Sequence, residues 1–86
     1  RFGLEQNYPN PFNPTTTISY SIAQLDFVKL KIYDLLGREV RTLVDKNQEA
    51  GTYTINLDAS RLASGVYFYK LQTKNFVETK KMSLVR

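Results

Sequence analysis

Apolar and polar residues alternate at the period of a β-strand along most of this chain. Ile18, Tyr20 and Ile22 alternate with Ser19 and Ser21, and Val28, Leu30 and Ile32 alternate with Lys29 and Lys31. A period of two puts each apolar set on one face, so both segments read as half-buried strands, the second with a basic outer side. Tyr53, Ile55 and Leu57 alternate with Thr52, Thr54 and Asn56 in the same way. Val66 to Thr73 is rich in β-branched and aromatic residues, and its inward set is expected to be Tyr67, Tyr69 and Leu71. Glu39 to Val44 and Phe76 to Val85 complete six strands, with a short additional one at Phe2–Gln6.

The segments between these strands carry turn chemistry. Asp34-Leu35-Leu36-Gly37-Arg38 reads as a turn in which Gly37 takes positive φ without steric cost. Lys46 to Gly51 reads as a polar loop, and Lys74-Asn75 as a tight turn. Asp58 to Gly65 is a longer connection from which Leu62 is expected to plug the core, on one helical turn. Gly65-Val66-Tyr67 suits a corner in which a tyrosine hydroxyl ties a loop to a strand. No segment has sustained helical periodicity, and no internal repeat or low-complexity tail is apparent. Short strands separated by turn signals every 8–12 residues predict an all-β sandwich of two packed antiparallel sheets.

The stretch from Asn7 to Thr17 breaks the alternation. It contains all three prolines, Pro9, Pro11 and Pro14, together with Asn7, Asn10 and Asn13, around Tyr8 and Phe12. Two Asn-Pro steps this close prevent a helix and favour an extended or turn backbone. Proline also withholds a hydrogen-bond donor, which suits a sheet edge or a stiff lead-in to a strand.

Eighty-six residues predict one domain, residues 1–86, with the Pro/Asn-rich lead-in at 7–17. The composition, 42% hydrophobic and 13% aromatic, supports a small core, and without cysteine no disulfide reinforces it. No apolar run is long enough to span a membrane as a helix, and no signal peptide is visible. Because the sequence starts at Arg1, we expect a piece of a larger protein that carries its own export signal. The net charge of +4 is spread over outward strand positions and turns without a recognition-helix or RNA-binding pattern, so no nucleic-acid partner is expected.

Catalytic chemistry has little to use. There is no histidine or cysteine, which removes Ser-His-Asp and Cys-His machinery and Cys/His metal sets. The eight acids do not form the clustered pattern of a calcium loop. A single calcium at Asp58 is weaker as a reading than solvated turn acids. Gly3, Gly37, Gly51 and Gly65 are too far apart for a phosphate cradle, and Pro14 disqualifies Asn13-Pro14-Thr15 as a glycosylation acceptor. No catalytic residue, metal site or cofactor is expected. Tyr53, Tyr67 and Tyr69 are candidates for a sugar-stacking row, but their places on apolar strand faces favour the core.

Several strings together resemble the C-terminal sorting domain of proteins exported by the type IX secretion system of Bacteroidetes and related phyla. They are Asn7-Tyr8-Pro9-Asn10-Pro11-Phe12-Asn13-Pro14-Thr15-Thr16, Ile32-Tyr33-Asp34-Leu35-Leu36-Gly37-Arg38-Glu39-Val40, Ala50-Gly51-Thr52-Tyr53, Ser64-Gly65-Val66-Tyr67-Phe68-Tyr69 and Lys81-Met82-Ser83-Leu84-Val85-Arg86. The resemblance implies a seven-stranded immunoglobulin-like antiparallel β-sandwich. It implies an upstream cargo, covalently fused, that reaches the periplasm by its own signal, and an outer-membrane translocon that recognises the domain. It further implies a sortase-like peptidase that removes the domain, with the cargo released or attached at the cell surface. The cleavage point is then expected at or before Arg1, and the terminal string agrees with a natural C-terminus.

On that reading the candidate recognition residues are Lys80, Lys81, Met82, Leu84, Val85 and Arg86. A receptor pairing with the last strand would take Lys80, Lys81 and Arg86 as charged contacts. Met82 and Leu84 would be either an apolar anchor or core residues. Two other classes stay open. One is a structural module similar to the immunoglobulin-like part of the flagellar hook-capping protein. The other is a carbohydrate-binding accessory module, which requires an exposed aromatic row.

Overall fold

In the computed structural model, which describes residues 1–86, seven antiparallel strands form two sheets. They are β1 (Gly3–Leu4), β2 (Thr15–Ile22), β3 (Asp26–Tyr33), β4 (Glu39–Gln48), β5 (Gly51–Asp58), β6 (Gly65–Gln72) and β7 (Val77–Leu84). One sheet has the order β1-β2-β5, the other β4-β3-β6-β7. There is no helix.

The alternation delivers the core. Ile18, Tyr20 and Ile22 from β2 face Val28, Leu30 and Ile32 from β3 and Tyr67, Tyr69 and Leu71 from β6, and all nine are buried. Sixteen residues form one continuous apolar cluster, to which β7 contributes Met82 and Leu84 and the lead-in contributes Phe12. Fully burying an aliphatic or aromatic side chain is worth about 1.5–3 kcal/mol, so this cluster supplies the main stabilising term.

Two expectations about local structure change. The polar loop at Lys46–Gly51 is largely strand: β4 runs on through Gln48, and only Glu49 and Ala50 separate it from β5. Pairing with Asp26, Phe27 and Val28 of β3 fixes these polar residues, a non-local constraint that overrides their turn propensity. Leu62 is on a turn rather than a helix, its N–H donating to the Ala59 carbonyl, and, half-buried, it packs against the core as expected. The residue of that connection fully inside the core is Ala59.

β4 departs from strict alternation because its register against β3 shifts twice, between Leu30 and Lys31 and between Ile32 and Tyr33. The shifts leave Leu43 and Val40 as extra residues, and Val40 turns outward. Such bulges, with Arg41, Asp45 and Lys46 along the strand, blunt an edge that would otherwise invite pairing.

One device occurs twice. Gly51 and Gly65 open β5 and β6 with φ of +154° and +151°, a region that residues with a Cβ rarely occupy. Two residues later in each strand a tyrosine hydroxyl returns to the loop: Tyr53 donates to the Glu49 carbonyl and Tyr67 to the Ala63 carbonyl, each at 2.6 Å. The Tyr67 corner is as expected. Its counterpart at Tyr53 makes Gly-x-Tyr a short structural repeat, one copy in each sheet.

Candidate recognition surface

The Pro/Asn-rich lead-in is a clasp over the edge of β7. Phe12 is 2% exposed, with its side chain in the core and its backbone in a parallel bridge with Leu84. Its N–H donates to the Ser83 carbonyl at 3.0 Å, and its carbonyl accepts the Val85 N–H at 2.9 Å. Asn10 Oδ1 accepts the Ser83 N–H at 2.9 Å, and Gln6 Nε2 donates to the Lys81 carbonyl at 2.8 Å. The C-terminal half of an otherwise open edge is thereby paired.

Asn7 organises the clasp. It is buried, and its polar groups are matched. Its N–H donates to the Tyr69 hydroxyl at 2.7 Å, and its Nδ2 donates to Thr16 Oγ1 and the Pro9 carbonyl. Its Oδ1 accepts from Gln6 Nε2 at 2.7 Å, while the Thr16 hydroxyl donates to the same Pro9 carbonyl. A buried amide is tolerated when its hydrogen bonds are made, which accounts for asparagine and threonine at these inward positions. Pro9, Asn10, Pro11 and Asn13 are exposed, as is Tyr8, and Pro14 accepts the Ala59 N–H on its carbonyl. The three Xaa-Pro bonds are cis.

The six C-terminal candidates separate by environment. Met82 and Leu84 are in the core, 0% and 1% exposed, so in the folded domain they hold β7 down rather than form an exposed apolar anchor. Lys81 and Val85 are exposed. Lys80 pairs with Glu78 at 3.4 Å, and the other oxygen of that carboxylate accepts the Leu4 N–H. The Arg86 guanidinium donates to the carbonyls of Ala59, Ser60 and Leu62, which fastens the chain end to the connection before β6.

Along the outer edge of β7, odd-numbered residues point away from β6, as the bonds of Lys81, Ser83 and Val85 to the lead-in establish. By the same alternation Val77 and Thr79 present backbone groups outward, and these have no backbone partner. The edge is thus half clasped and half open.

Asp34 and Gly37 shape the β3–β4 turn, where Gly37 has φ of +85°. The backbone N–H of Arg38, with its guanidinium and the Leu36 N–H, holds the Asp34 carboxyl below the usual carboxylate range. Both belong to the turn that lies beside the start of β6 at Gly65 and Val66. Nor do the tyrosines form a row for sugar stacking. Tyr67 and Tyr69 are buried, and half-buried Tyr53 is stacked on Tyr20 with ring centroids 5.4 Å apart. No three His, Cys, Asp or Glu side chains come together in a way that could hold a metal ion, and no helix is long and apolar enough to cross a membrane.

The clasp brings together the two ends of the chain that the sequence singled out separately. A stiff lead-in was expected at residues 7–17; the docking of Phe12 and Asn7 against β6 and β7 was not. The available signal was one large apolar residue, Phe12, inside an otherwise polar proline string.

No curated protein matches the chain. The family described as the secretion system C-terminal sorting domain matches residues 6–85, which include the lead-in, both Gly-x-Tyr corners and all of β7. The match spans nearly the whole sequence, and the chain belongs to the secretion system C-terminal sorting domain family.

Proposed function

We propose that residues 1–86 act as one non-catalytic address that takes a fused upstream protein across the outer membrane through the type IX secretion machinery. The observation that carries this reading is the extent of the family match, which includes both the clasp and the strand it covers. The cargo reaches the periplasm by its own signal, the translocon reads the folded domain, and a sortase-like peptidase separates the domain from the cargo at the surface. The product is at the cell surface or outside the cell. No cofactor takes part.

Recognition is assigned to the groups that the fold leaves accessible near the clasp: the side chains of Lys81 and Val85 and the open backbone edge at Val77 and Thr79. An extended receptor segment can add to that edge, while Lys81 supplies charge. Lys80 contributes less because Glu78 already pairs with it. Arg86 contributes by holding the chain end in place.

Residues 1–86, fused behind a fluorescent protein targeted to the periplasm, test the reading in a host with a compatible type IX system. Fluorescence at the surface or in the medium is expected. Retention of the intact fusion in a host that exports its own cargo would turn the assignment towards a structural module.

A further inference from the structure

The β3–β4 turn holds two leucines in solvent on a rigid support. Leu35 is 68% exposed and Leu36 78% exposed. Five hydrogen bonds lock the turn beneath them. Asp34 N–H donates to the Arg38 carbonyl, and Gly37 N–H to the Asp34 carbonyl. Asp34 Oδ1 accepts the N–H groups of Leu36 and Arg38, and its Oδ2 accepts Arg38 Nε at 2.8 Å. These bonds involve only backbone atoms, Asp34 and Arg38, so the turn itself does not require leucine at either position. Neighbouring exposed leucines on a fixed support are a preorganised apolar knob, which loses little freedom when it docks.

The surroundings of the knob indicate its partner. A groove of about 260 Å³ runs beside it, between the turn and the start of β6 at Ser64, Gly65 and Val66. Four of the five arginines gather at this end. Arg38 is on the turn and Arg61 on the facing connection, while Arg41 and Arg86 donate to carbonyls of that connection. Arg61 has no ion pair. Glu39, also at this end, is paired with Lys31, so the four arginines outnumber the remaining local carboxylates, Asp34 and Asp58. An apolar centre with an arginine rim has the make-up of a protein-binding hot spot.

We propose that the Leu35–Leu36 knob docks in an apolar pocket, rimmed by carboxylates, on the outer-membrane receptor of the export machinery. This rests on the sorting reading above. It adds a second contact to the one at the open edge of β7, on the end of the sandwich where the chain terminates.

The test compares export of the fluorescent fusion with that of a Leu35→Ser, Leu36→Ser variant, with resistance of the periplasmic fusion to limited proteolysis as the folding control. Both leucines are exposed, so the variant should remain resistant. Its export should fall about tenfold or more, as expected for removal of a hot spot. Arg61→Glu should lower export severalfold, and unchanged export of that variant would remove the carboxylate rim. A photo-cross-linking residue in place of Leu36 should capture an outer-membrane protein in exporting cells, whereas one in place of Thr54, on the opposite sheet, should not. Full export of a folded double-leucine variant would overturn the knob while leaving the sorting reading intact. Capture of a second copy of the fusion would overturn it in favour of self-association. Retention of the parent fusion would bring down the sorting reading, and the knob with it.

Discussion

The hydroxyl of Tyr69 accepts the backbone N–H of Asn7 at 2.7 Å and donates to the carbonyl of Glu5 at 2.7 Å. One buried side chain of the central sheet thus satisfies two backbone groups of the N-terminal segment. It ties the lead-in to β6, the strand that pairs with β7.

Tyr69→Phe removes both bonds and leaves a buried N–H and a carbonyl without partners. A loss of about 1–3 kcal/mol is expected. It should appear as a lower midpoint in urea with an unchanged slope, since the surface exposed on unfolding stays the same.

The same hydroxyl makes stability depend on alkaline pH. Burial pushes the Tyr69 hydroxyl up to about 12, and Tyr20 moves in the same direction for the same reason. A raised folded-state value means that the neutral form is favoured by folding. The contribution is complete below the ordinary tyrosine value near 10 and is lost as pH rises through about 12. Urea midpoints should therefore decline over that interval, and Tyr69→Phe should decline less steeply.

Phe12→Ala tests the clasp. Emptying a buried phenylalanine site typically costs about 3–5 kcal/mol. Beyond the global loss, the amides of Ser83 and Val85, which bond to Asn10 and Phe12, should exchange hydrogen faster than those β7 amides that bond to β6. Asn10→Ala should speed exchange at Ser83 with a much smaller global cost. Equal exchange at both sets of amides in either variant would count against a clasp that opens separately.

The paired corners should respond alike but unequally. Tyr67→Phe and Tyr53→Phe each remove one hydroxyl bond to a loop carbonyl, worth about 1 kcal/mol. Tyr67 is the more buried, so its substitution should cost more in thermal unfolding. Gly65→Ala should destabilise by forcing a Cβ into an unfavoured φ, although nothing lies within 4 Å of that Cβ.

Charge reversal separates contact from folding. Lys81→Glu changes an exposed residue with no ion pair, so stability should move by less than about 0.5 kcal/mol. Lys80→Glu instead sets two carboxylates side by side and disturbs Glu78, which also receives Leu4. Lys81→Glu is therefore the cleaner probe. Reduced surface fluorescence of the Lys81→Glu fusion, at unchanged thermal stability, is the expected result.

Strand periodicity alone determined the strands and the inward faces of β2, β3, β5 and β6, because a period of two is a local property and the apolar positions keep to it; which strands pair was decided by the tertiary structure. The absence of histidine and cysteine removed the usual catalytic sets on composition. The Pro/Asn, Gly-x-Tyr and basic-apolar strings by themselves point to the sorting family. What the sequence left open depends mostly on contacts between residues distant in the chain, such as Asn47 with Phe27, Asn7 with Tyr69 and Phe12 with Leu84. Polar Asn47 and Gln48 are strand because β3 offers them partners. Met82 and Leu84 are core because β7 lies against the opposing sheet with Phe12 over its edge. Asn7 is buried because Tyr69, Thr16 and Pro9 meet its polar groups there. The tertiary structure also decided which signature residues are accessible. Local pattern specifies what a segment prefers; only the packed fold specifies what covers it, since burial is a property of the neighbours.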